Sequence, residues 1–361
     1  MSSNPWDFII VGQGLAGTTL AWHLHDSGQR VLLIDAAQPV TSSKIAAGLI
    51  TPITGQRLVL TSRFDEYLTL AREFYTGIED RTGRKFFHPR TAVRLFQSDT
   101  ERQQWSRRRL QPAYQAHLQA HLAIPQPAPL NDPNLGDARH GGFAMSAYQL
   151  DVAAYLDASR SVLASQSMAL DWHRDVEFTA DGMRVAGHRT LTLISCEGYA
   201  ATRNPYFSWV PFKAAKGDIL TVRFQAPLPP HSLHRGIWIA PTADPAIFKI
   251  GSTYDWENLD QRPSAPARAQ IERKLQEFFH VPYHVLDHHA AVRPIIRESQ
   301  AAIGLHPTHD RLGYFNGLGS KGSLLAPWFA QCFTDFLVRA IPLPDHVDLR
   351  KKFNRCYAQP N

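Results

Sequence analysis

Three glycines and an aspartate near the N-terminus have the types and the order needed to hold a dinucleotide. Gly12, Gly14 and Gly17 form a Gly-x-Gly-x-x-Gly pattern, and Asp35 follows it. The first glycine permits a tight turn, the second lets the backbone approach a pyrophosphate, and the third lets a helix pack closely on a strand. The carboxylate of Asp35 can accept hydrogen bonds from a ribose diol. Because no arginine stands beside Asp35 in the sequence, this acid would repel a 2′-phosphate, which disfavours NADP.

These four residues can act together only if a strand, a turn, a helix and a second strand position them. Residues 6–11 form an apolar, β-branched run that ends at the first glycine. Residues 18–24 are typical of a helix, and the apolar run 31–34 ends on Asp35. A pyrophosphate would then rest on the helix N-terminus. This complete context favours nucleotide binding over a chance glycine turn.

A second glycine-rich loop stands near the other end of the chain. Residues 316–322 follow a short apolar run at 312–315 and precede a long apolar helix that is predicted to extend to about residue 340. Backbone N–H groups at such a helix start can stabilise a delocalised negative charge, such as the charge at the pyrimidine end of a reduced flavin. Taken alone, the loop also fits a plain strand-to-helix turn.

The distribution of strand-like runs indicates an α/β chain, α+β overall, with two domains. Runs typical of parallel strands occur at the N-terminus, near residue 193 and near residue 314, whereas residues 217–251 contain runs typical of antiparallel strands. A Rossmann-like domain assembled from discontinuous segments, with a mainly antiparallel second domain between them, explains both observations. Helices are predicted at residues 62–82, 99–122, 151–164 and 266–279, a proline-rich surface connector at 124–133, and a polar tail after Pro342.

The composition limits the class of protein. The chain has 361 residues, of which 44% are hydrophobic, and no apolar stretch approaches the ~20 residues of a membrane span. Cys196, Cys332 and Cys356 are too few and too scattered for a disulfide framework or a zinc site, so we expect no metal and a reducing, cytoplasmic location. The net charge of +6 includes basic clusters at 107–109 and 350–352. It indicates either solvated surface or attraction of an anionic substrate or RNA, without an RNA-binding motif of interleaved aromatic residues.

Several segments, in this order along the chain, resemble the D-amino acid oxidase superfamily of FAD enzymes, which includes glycine and sarcosine oxidases. They are the first glycine loop with Asp35, residues 42–52, residues 196–198, residues 292–294 and the second glycine loop. The resemblance covers most of the chain, but residues 86–140 match no pattern of the superfamily. It implies an FAD-binding domain at residues 1–85, 145–205 and 290–345, a substrate domain at 86–144 and 206–289, and a C-terminal tail at 346–361.

The resemblance also implies which residues hold FAD. Val176 would contact the adenine through its backbone, and the second glycine loop would face the flavin pyrimidine and the ribityl chain. No cysteine stands in a recognisable flavinylation context, so we expect non-covalent FAD, with Cys332 and Cys356 as the alternatives. The expected cofactor-binding residues are Gly12, Gly14, Leu15, Ala16, Gly17, Asp35, Ala36, Ser42, Ser43, Lys44, Ala47, Gly48, Val176, Gly198, Gly317, Leu318, Gly319, Ser320, Lys321 and Gly322.

Two cations match positions that do chemistry in this superfamily. Arg293, which precedes a proline, corresponds to the arginine that clamps the substrate carboxylate, because a guanidinium fork can bind a carboxylate bidentately. A surface arginine or a structural ion pair is the alternative. Lys249 resembles the lysine that promotes oxygen reduction, with a solvated strand lysine as its alternative. Tyr254, followed closely by Trp256, is expected to wall the substrate pocket, unless both are core or rim residues.

The resemblance implies an FAD-dependent oxidoreductase that oxidises the C–N bond of a small amino acid or an N-substituted glycine. A hydride would pass to flavin N5, and O2 would accept the electrons. One alternative is removal of a carboxymethyl group from a modified tRNA wobble uridine, although the methyltransferase domain fused to such enzymes is not found in this sequence. The second alternative is a flavin-binding protein without turnover. The expected partner is a small-molecule amine or amino acid, and no membrane is expected.

Overall fold

The structure is a computed structural model that describes residues 5–118, 140–225, 228–297 and 301–358. The predicted proline-rich connector at 124–133 and the end of the predicted helix at 99–122 lie outside these ranges. The strands are β1 (Trp6–Val11), β2 (Val31–Asp35), β3 (Leu49–Ile50), β4 (Ile53–Thr54), β5 (Val59–Leu60), β6 (Phe87–Leu95), β7 (Gly142–Leu150), β8 (Ser165–Ser167), β9 (Val176–Thr179), β10 (Gly182–Val185), β11 (His188–Ser195), β12 (Ala215–Phe224), β13 (Ser232–Arg235), β14 (Ile237–Pro241), β15 (Ile247–Gly251), β16 (Tyr283–Arg293), β17 (Ala302–Leu305) and β18 (Leu312–Asn316).

Helices alternate with these strands mainly in the N-terminal third and at the C-terminus. They are α1 (Leu15–Asp26), α2 (Ser42–Ile45), α3 (Phe64–Thr82), α4 (Asp99–Arg108), α5 (Pro112–Gln115), α6 (Val152–Arg160), α7 (Ala265–Gln276), α8 (Gly322–Arg339) and α9 (Leu349–Ala358). No helix in the described ranges combines the length and the apolar character that a membrane crossing requires.

The first sheet has the strand order β17-β18-β11-β1-β2-β8, and the β9–β10 hairpin extends it beside β11. β1 pairs in parallel with both β2 and β11, and β11 pairs in parallel with β18. The central strands are buried on both faces, as parallel strands covered by helices must be. On one face, α1 and α8 bury Trp22 and Phe333 against Ile10 and Leu33. The carboxyl ends of β1, β2, β11 and β18 therefore lie together at one edge.

The second sheet has the order β16-β12-β15-β14-β13-β6-β7-β3 and is antiparallel except where β13 meets β6. One face packs on α7 through Leu220, Ile250, Ile271 and Leu275. The α/β class, with a parallel sheet assembled from separate segments and a mainly antiparallel sheet, is thus confirmed.

The structure differs from the predicted elements at three places. The predicted helix at 99–122 breaks after α4, because Pro112 lacks the N–H of a helix interior and instead starts α5. The helix that Asp151 caps ends at Arg160 rather than at residue 164. The segment predicted as a polar tail contains α9, which follows the fully buried Val347 and packs on β17 through Leu349.

Candidate active site

A cleft of about 1130 Å³ lies between the two sheets, at the carboxyl ends of the parallel strands. This volume exceeds the ~300–1,000 Å³ of a pocket for one drug-sized ligand, so an extended dinucleotide and a substrate have room together. The first sheet contributes both glycine loops, and the second sheet contributes residues of β12, β14 and β16. Such an edge is where open α/β sheets bind ligands.

Steric contacts explain the first glycine loop. Gly12 has a φ of +103°, and a Cβ there would lie 2.5 Å from the carbonyl oxygen of Cys196. A Cβ on Gly17 would lie 1.9 Å from the carbonyl oxygen of Gly12, so this glycine allows α1 to pack on the turn, as predicted. Gly14 is the N-cap residue of α1 and has no side chain to cap it. The Leu15 N–H donates to Ser43 Oγ at 3.0 Å. An uncapped helix N-terminus that faces a cleft fits the pyrophosphate of a dinucleotide.

Asp35 is held by the backbone at the end of β2. Its Oδ2 accepts from the Gln13 N–H and its Oδ1 from the Ala37 N–H, both at 2.8 Å. Each carboxylate oxygen keeps accepting capacity for a ribose hydroxyl in the cleft. No arginine stands beside Asp35 in the sequence, but the prediction that none lies near its carboxylate is wrong, because Arg160 Nη2 lies 3.9 Å from Asp35 Oδ1. The sequence argument missed this contact because α6 brings Arg160 from far along the chain.

The segment after β2 forms the floor of the cleft. Thr41 caps α2 by accepting from the Lys44 N–H at 3.2 Å, which presents Ser42, Ser43 and Lys44 to the cleft. Gly48 has a φ of +65°, and a Cβ there would lie 1.8 Å from the carbonyl oxygen of Leu150. This segment therefore runs flat against β7, as a backbone beneath a planar ligand must.

The second glycine loop is fixed by side-chain amide contacts. Asn316 Oδ1 accepts from the Gly317 N–H, and its Nδ2 donates to the carbonyl oxygen of Gly198, both at 2.8 Å. Lys321 Nζ donates to Thr61 Oγ1 at 3.0 Å, and burial lowers the pKa of this lysine. α8 then begins without a side-chain cap. A cation beside an uncapped helix N-terminus fits the negative charge of a reduced flavin pyrimidine.

Most of the predicted cofactor-binding residues line this cleft. Gly17 and Gly317 do not line it; Gly17 packs against the backbone of Gly12, and Gly317 packs against the side chain of Ile296. Val176 does not line it either, since its side chain is buried in the hydrophobic cluster that also contains Trp172 and Val185. The lining residues are Gly12, Gly14, Leu15, Ala16, Asp35, Ala36, Ser42, Ser43, Lys44, Ala47, Gly48, Gly198, Leu318, Gly319, Ser320, Lys321 and Gly322. The ligand contacts of all these residues stay predictions.

Arg293 lies at the end of β16 and lines the same cleft. Its Nη1 and Nη2 each donate to the carbonyl oxygen of Thr253 at 3.3 Å. The guanidinium lies over Gly217, where a Cβ would be 2.0 Å from Nη2, and 4.4 Å from the ring centre of Tyr254. Burial lowers the pKa of Arg293, yet a guanidinium stays charged in proteins. Within the described ranges Arg293 has no carboxylate within ion-pair distance, so it keeps its capacity to bind an anion.

Lys249 lies under the cleft floor rather than in its lining. Its Nζ donates to the carbonyl oxygens of Ile45 and Ala46 at 3.2 and 3.0 Å. Burial lowers the pKa of this lysine. The alternative of a solvated strand lysine is therefore wrong, and the ammonium group lies directly beneath the backbone that precedes Ala47.

Sequence reasoning missed a polar cluster behind Arg293. The buried Asp218 accepts from His288 Nε2 at 2.9 Å and from Thr253 Oγ1 at 3.3 Å. Thr253 Oγ1 also accepts from the Asp218 N–H at 2.9 Å, so Thr253 links this carboxylate to the guanidinium of Arg293. The one signal in the sequence is a charged residue inside the apolar run of β12.

At another part of the cleft, His234 and Arg94 also line the wall. Burial and the charge of Arg94 lower the pKa of His234 to about 3. Arg94 is ion-paired with Glu101. His234 is therefore a neutral polar group in this wall near pH 7.

The basic clusters lie away from the cleft lining, and Arg108, Arg350 and Lys351 within them make local contacts. Arg108 donates to Tyr114 Oη at 2.6 Å. Arg350 pairs with Asp310, and Lys351 Nζ lies 2.5 Å from Asp345 Oδ1. These contacts fit the interpretation of the clusters as structural or solvated surface charge.

Two sheets that meet at a cleft, with a glycine loop from each end of the chain on one wall, are the architecture of a dinucleotide-binding fold. The family model described as FAD dependent oxidoreductase matches residues 7–336. The chain belongs to this family, and it is an FAD-dependent oxidoreductase.

Solved structures share the fold at low sequence identity. A glycine oxidase from Bacillus cereus superposes with a TM-score of 0.75 at 15% identity, covering 96% of this chain and 98% of that one. Iminodiacetate oxidase from Chelativorans sp. BNC1 superposes with a TM-score of 0.71 at 18% identity, covering 93% and 96%. A glycine oxidase from Pseudomonas putida is 30% identical over 141 residues, a match that spans only 38% of each chain.

Proposed function

We propose that this enzyme uses non-covalently bound FAD to oxidise the C–N bond of a small amino acid or an N-substituted glycine, with O2 as the electron acceptor. The observation that carries the proposal is the placement of Arg293. Its partly buried guanidinium faces the cleft that both glycine loops line, and its hydrogen-bond partner there is a backbone carbonyl. The glycine and iminodiacetate oxidases with this fold support the same substrate class.

A substrate carboxylate is the natural partner for this guanidinium. A partly buried cation that has no direct ion pair gains more from an anion than an exposed one, because water screens it less. The two nitrogens that share the Thr253 carbonyl also fix the plane of the guanidinium. Binding of the carboxylate in that plane would orient the α-carbon and its amine toward the side of the cleft that the two glycine loops and residues 42–48 form. We call this side the cofactor wall.

The cofactor wall fits FAD as a bound, not covalently attached, group. FAD supplies the hydride acceptor when bound, and the protein binds and orients it. Attachment through sulfur needs a thiolate, yet burial raises the pKa of the Cys196 thiol well above its usual value and that of Cys332 to about 11. Cys332 and Cys356 also lie outside the cleft lining.

Lys249 is the group we assign to the reaction with O2. Its ammonium lies beneath the floor segment and donates to two backbone carbonyls. It forms no ion pair with any residue in the described ranges. A fixed positive charge there would stabilise negative charge that develops on oxygen as it is reduced.

The experiment that tests the proposal is an anaerobic absorption spectrum of the purified protein, taken before and after adding glycine, sarcosine, alanine enantiomers and longer N-alkylglycines. We expect a flavin band that one of these compounds bleaches, and flavin that leaves the protein on acid precipitation. A flavin band that none bleaches, in a protein that still binds carboxylates, would contradict turnover and support the non-catalytic alternative. Flavin that stays with the precipitate would contradict non-covalent binding.

A further inference from the structure

Two large aromatic side chains are exposed next to the Arg293 clamp. Tyr254 is 55% exposed and Trp256 is 50% exposed. Their rings stack with centres 6.0 Å apart and planes at 27°. Most large aromatic side chains of this protein are buried, so an exposed stacked pair at a cleft mouth indicates a binding surface. We call this pair the aromatic platform.

A cation flanks each ring of the aromatic platform. The guanidinium of Arg293 lies 4.4 Å from the ring centre of Tyr254, and Lys213 Nζ lies 5.8 Å from that of Trp256. Both cations are positioned to draw an anionic ligand onto the rings. Because Tyr254 lines the cleft and Trp256 lies outside the lining, the platform extends from the clamp outward.

The backbone between the two rings is held in place. The Asp255 N–H donates to the carbonyl oxygen of Lys216 at 3.0 Å, and the Lys216 N–H donates to the backbone carbonyl oxygen of Asp255 at 2.8 Å. The Asp255 carboxylate also accepts from the N–H groups of Glu257 and Asn258 at 2.9 and 3.0 Å. A surface fixed before binding loses little conformational entropy when a ligand stacks on it.

We propose that the aromatic platform binds a planar π-system in the substrate, whose carboxylate occupies Arg293. The substrate class is then an aromatic amino acid, or a glycine whose nitrogen carries an aryl or heteroaryl group. This inference rests on the proposed function, since it uses the same clamp. Stacking on Tyr254 and Trp256 favours flat rings over saturated rings of equal size, because only the flat ring presents a π-face to the platform.

The test uses three carboxylates as probes of the holoenzyme, with binding followed through the flavin spectrum. Phenylacetate and cyclohexylacetate differ in planarity and hardly in size, and indole-3-acetate presents a larger flat face. We expect phenylacetate to bind about tenfold more tightly than cyclohexylacetate, and indole-3-acetate more tightly still. Equal dissociation constants for the flat and saturated probes, or no binding of any of the three, would overturn the proposal.

Variants place the effect on the platform. Trp256→Leu should weaken indole-3-acetate about tenfold and leave cyclohexylacetate unchanged, and Trp256→Phe should restore part of the loss. The matched control is Trp6→Leu, because Trp6 also has a cation near its ring, Arg30 at 5.2 Å, but lies outside the cleft lining. The inference is wrong if Trp6→Leu and Trp256→Leu have equal effects. It is also wrong if sedimentation shows a dimer that Trp256→Leu dissociates, because the platform would then be an interface.

Failure of the clamp is separable from failure of the platform. Arg293→Gln should weaken all three probes by a similar factor while the ratio between flat and saturated probes persists. If Arg293→Gln leaves all three affinities unchanged, the proposed function fails while the ratio still measures the platform. If the ratio is one in the parent enzyme but Arg293→Gln weakens every probe, the clamp stands and the platform proposal fails.

Discussion

The two walls of the cleft are built in different ways. The cofactor wall consists mainly of backbone: two glycine loops, two helix N-termini without side-chain caps, and a floor segment pressed onto β7. The substrate wall consists of side chains, with a partly buried guanidinium, a buried carboxylate and a platform of two aromatic rings. Backbone at close approach tolerates almost no added atoms, whereas a side-chain wall can be altered one group at a time. Substitutions should therefore act all-or-none on the first wall and by degrees on the second.

The largest effect should come from a side chain added to the cofactor wall. Gly17→Val places a Cβ 1.9 Å from the carbonyl oxygen of Gly12, so α1 and the turn must separate. We expect a loss of at least about 3 kcal/mol in the free energy of unfolding and no retained flavin. The measurements are urea unfolding and the flavin-to-protein absorbance ratio.

The matched control is Gly77→Ala in α3, where an added Cβ meets no atom within 4 Å. This variant should gain roughly 0.5–1 kcal/mol, because alanine favours a helix interior over glycine. Normal flavin content in Gly17→Val would contradict the steric account of the cofactor wall.

Acid should lower the free energy of unfolding through a histidine of α1. His23 of α1 stacks on Phe74 with ring centres 4.7 Å apart, and burial lowers its pKa to about 4. The unfolded chain takes up a proton near the usual pKa of 6.5, whereas the folded chain resists it until about pH 4. The contribution of neutral His23 is therefore complete above pH 6.5 and is lost as the pH falls toward 4, about 3 kcal/mol in all.

Urea unfolding between pH 7 and pH 4 measures this loss. His23→Phe keeps an aromatic ring against Phe74 and removes the titrating group, so its stability should fall less steeply with acid. The same slope in both proteins would show that other groups, such as His306 with a pKa lowered to about 4, account for the pH dependence.

The next effect belongs to the substrate wall. Arg293→Gln removes the charge and the fork but keeps a polar amide side chain. We expect KM for carboxylate substrates to rise about 100-fold, with the flavin spectrum unchanged, since charge-assisted hydrogen bonds contribute about 1.5–3 kcal/mol. Arg189→Gln is the control, because Arg189 pairs with Asp181 outside the cleft lining. An unchanged KM in Arg293→Gln would eliminate the clamp.

The same difference between the walls explains how far the sequence predicts the site. Gly12, Gly14 and Asp35 stand close together in the chain, within one strand, turn, helix and second strand, so a short pattern identifies them. The link from Asp218 through Thr253 to Arg293 joins β12, the loop after β15, and β16, which are distant in sequence. Register between such strands depends on packing over the whole sheet, which no local pattern encodes. Arg160 beside Asp35 was missed because α6, which is distant in sequence, brings it to the end of β2.

Val176 and α9 show a different limit. Val176 is buried at the start of β9, but whether a strand end reaches the cleft depends on how β9 and β10 extend the sheet. In α9 the buried Leu349 and Phe353 stand among charged residues, so mean polarity conceals a helix with one narrow apolar face. Composition describes such a segment poorly, since two side chains are enough to dock it.

The smallest expected effect concerns Lys249. A substitution there should distinguish reduction of the flavin by substrate from its reoxidation by O2. Lys249 extends from β15 to the carbonyl oxygens of Ile45 and Ala46. Lys249→Met keeps the length of the side chain and removes the ammonium, so reoxidation of the reduced flavin by O2 should slow about tenfold or more, whereas anaerobic reduction by substrate should change little. Stopped-flow absorbance measures both rates in one preparation. Equal slowing of the two rates would mean that Lys249 only supports the floor segment, and the charge would then have no separate part in oxygen reduction.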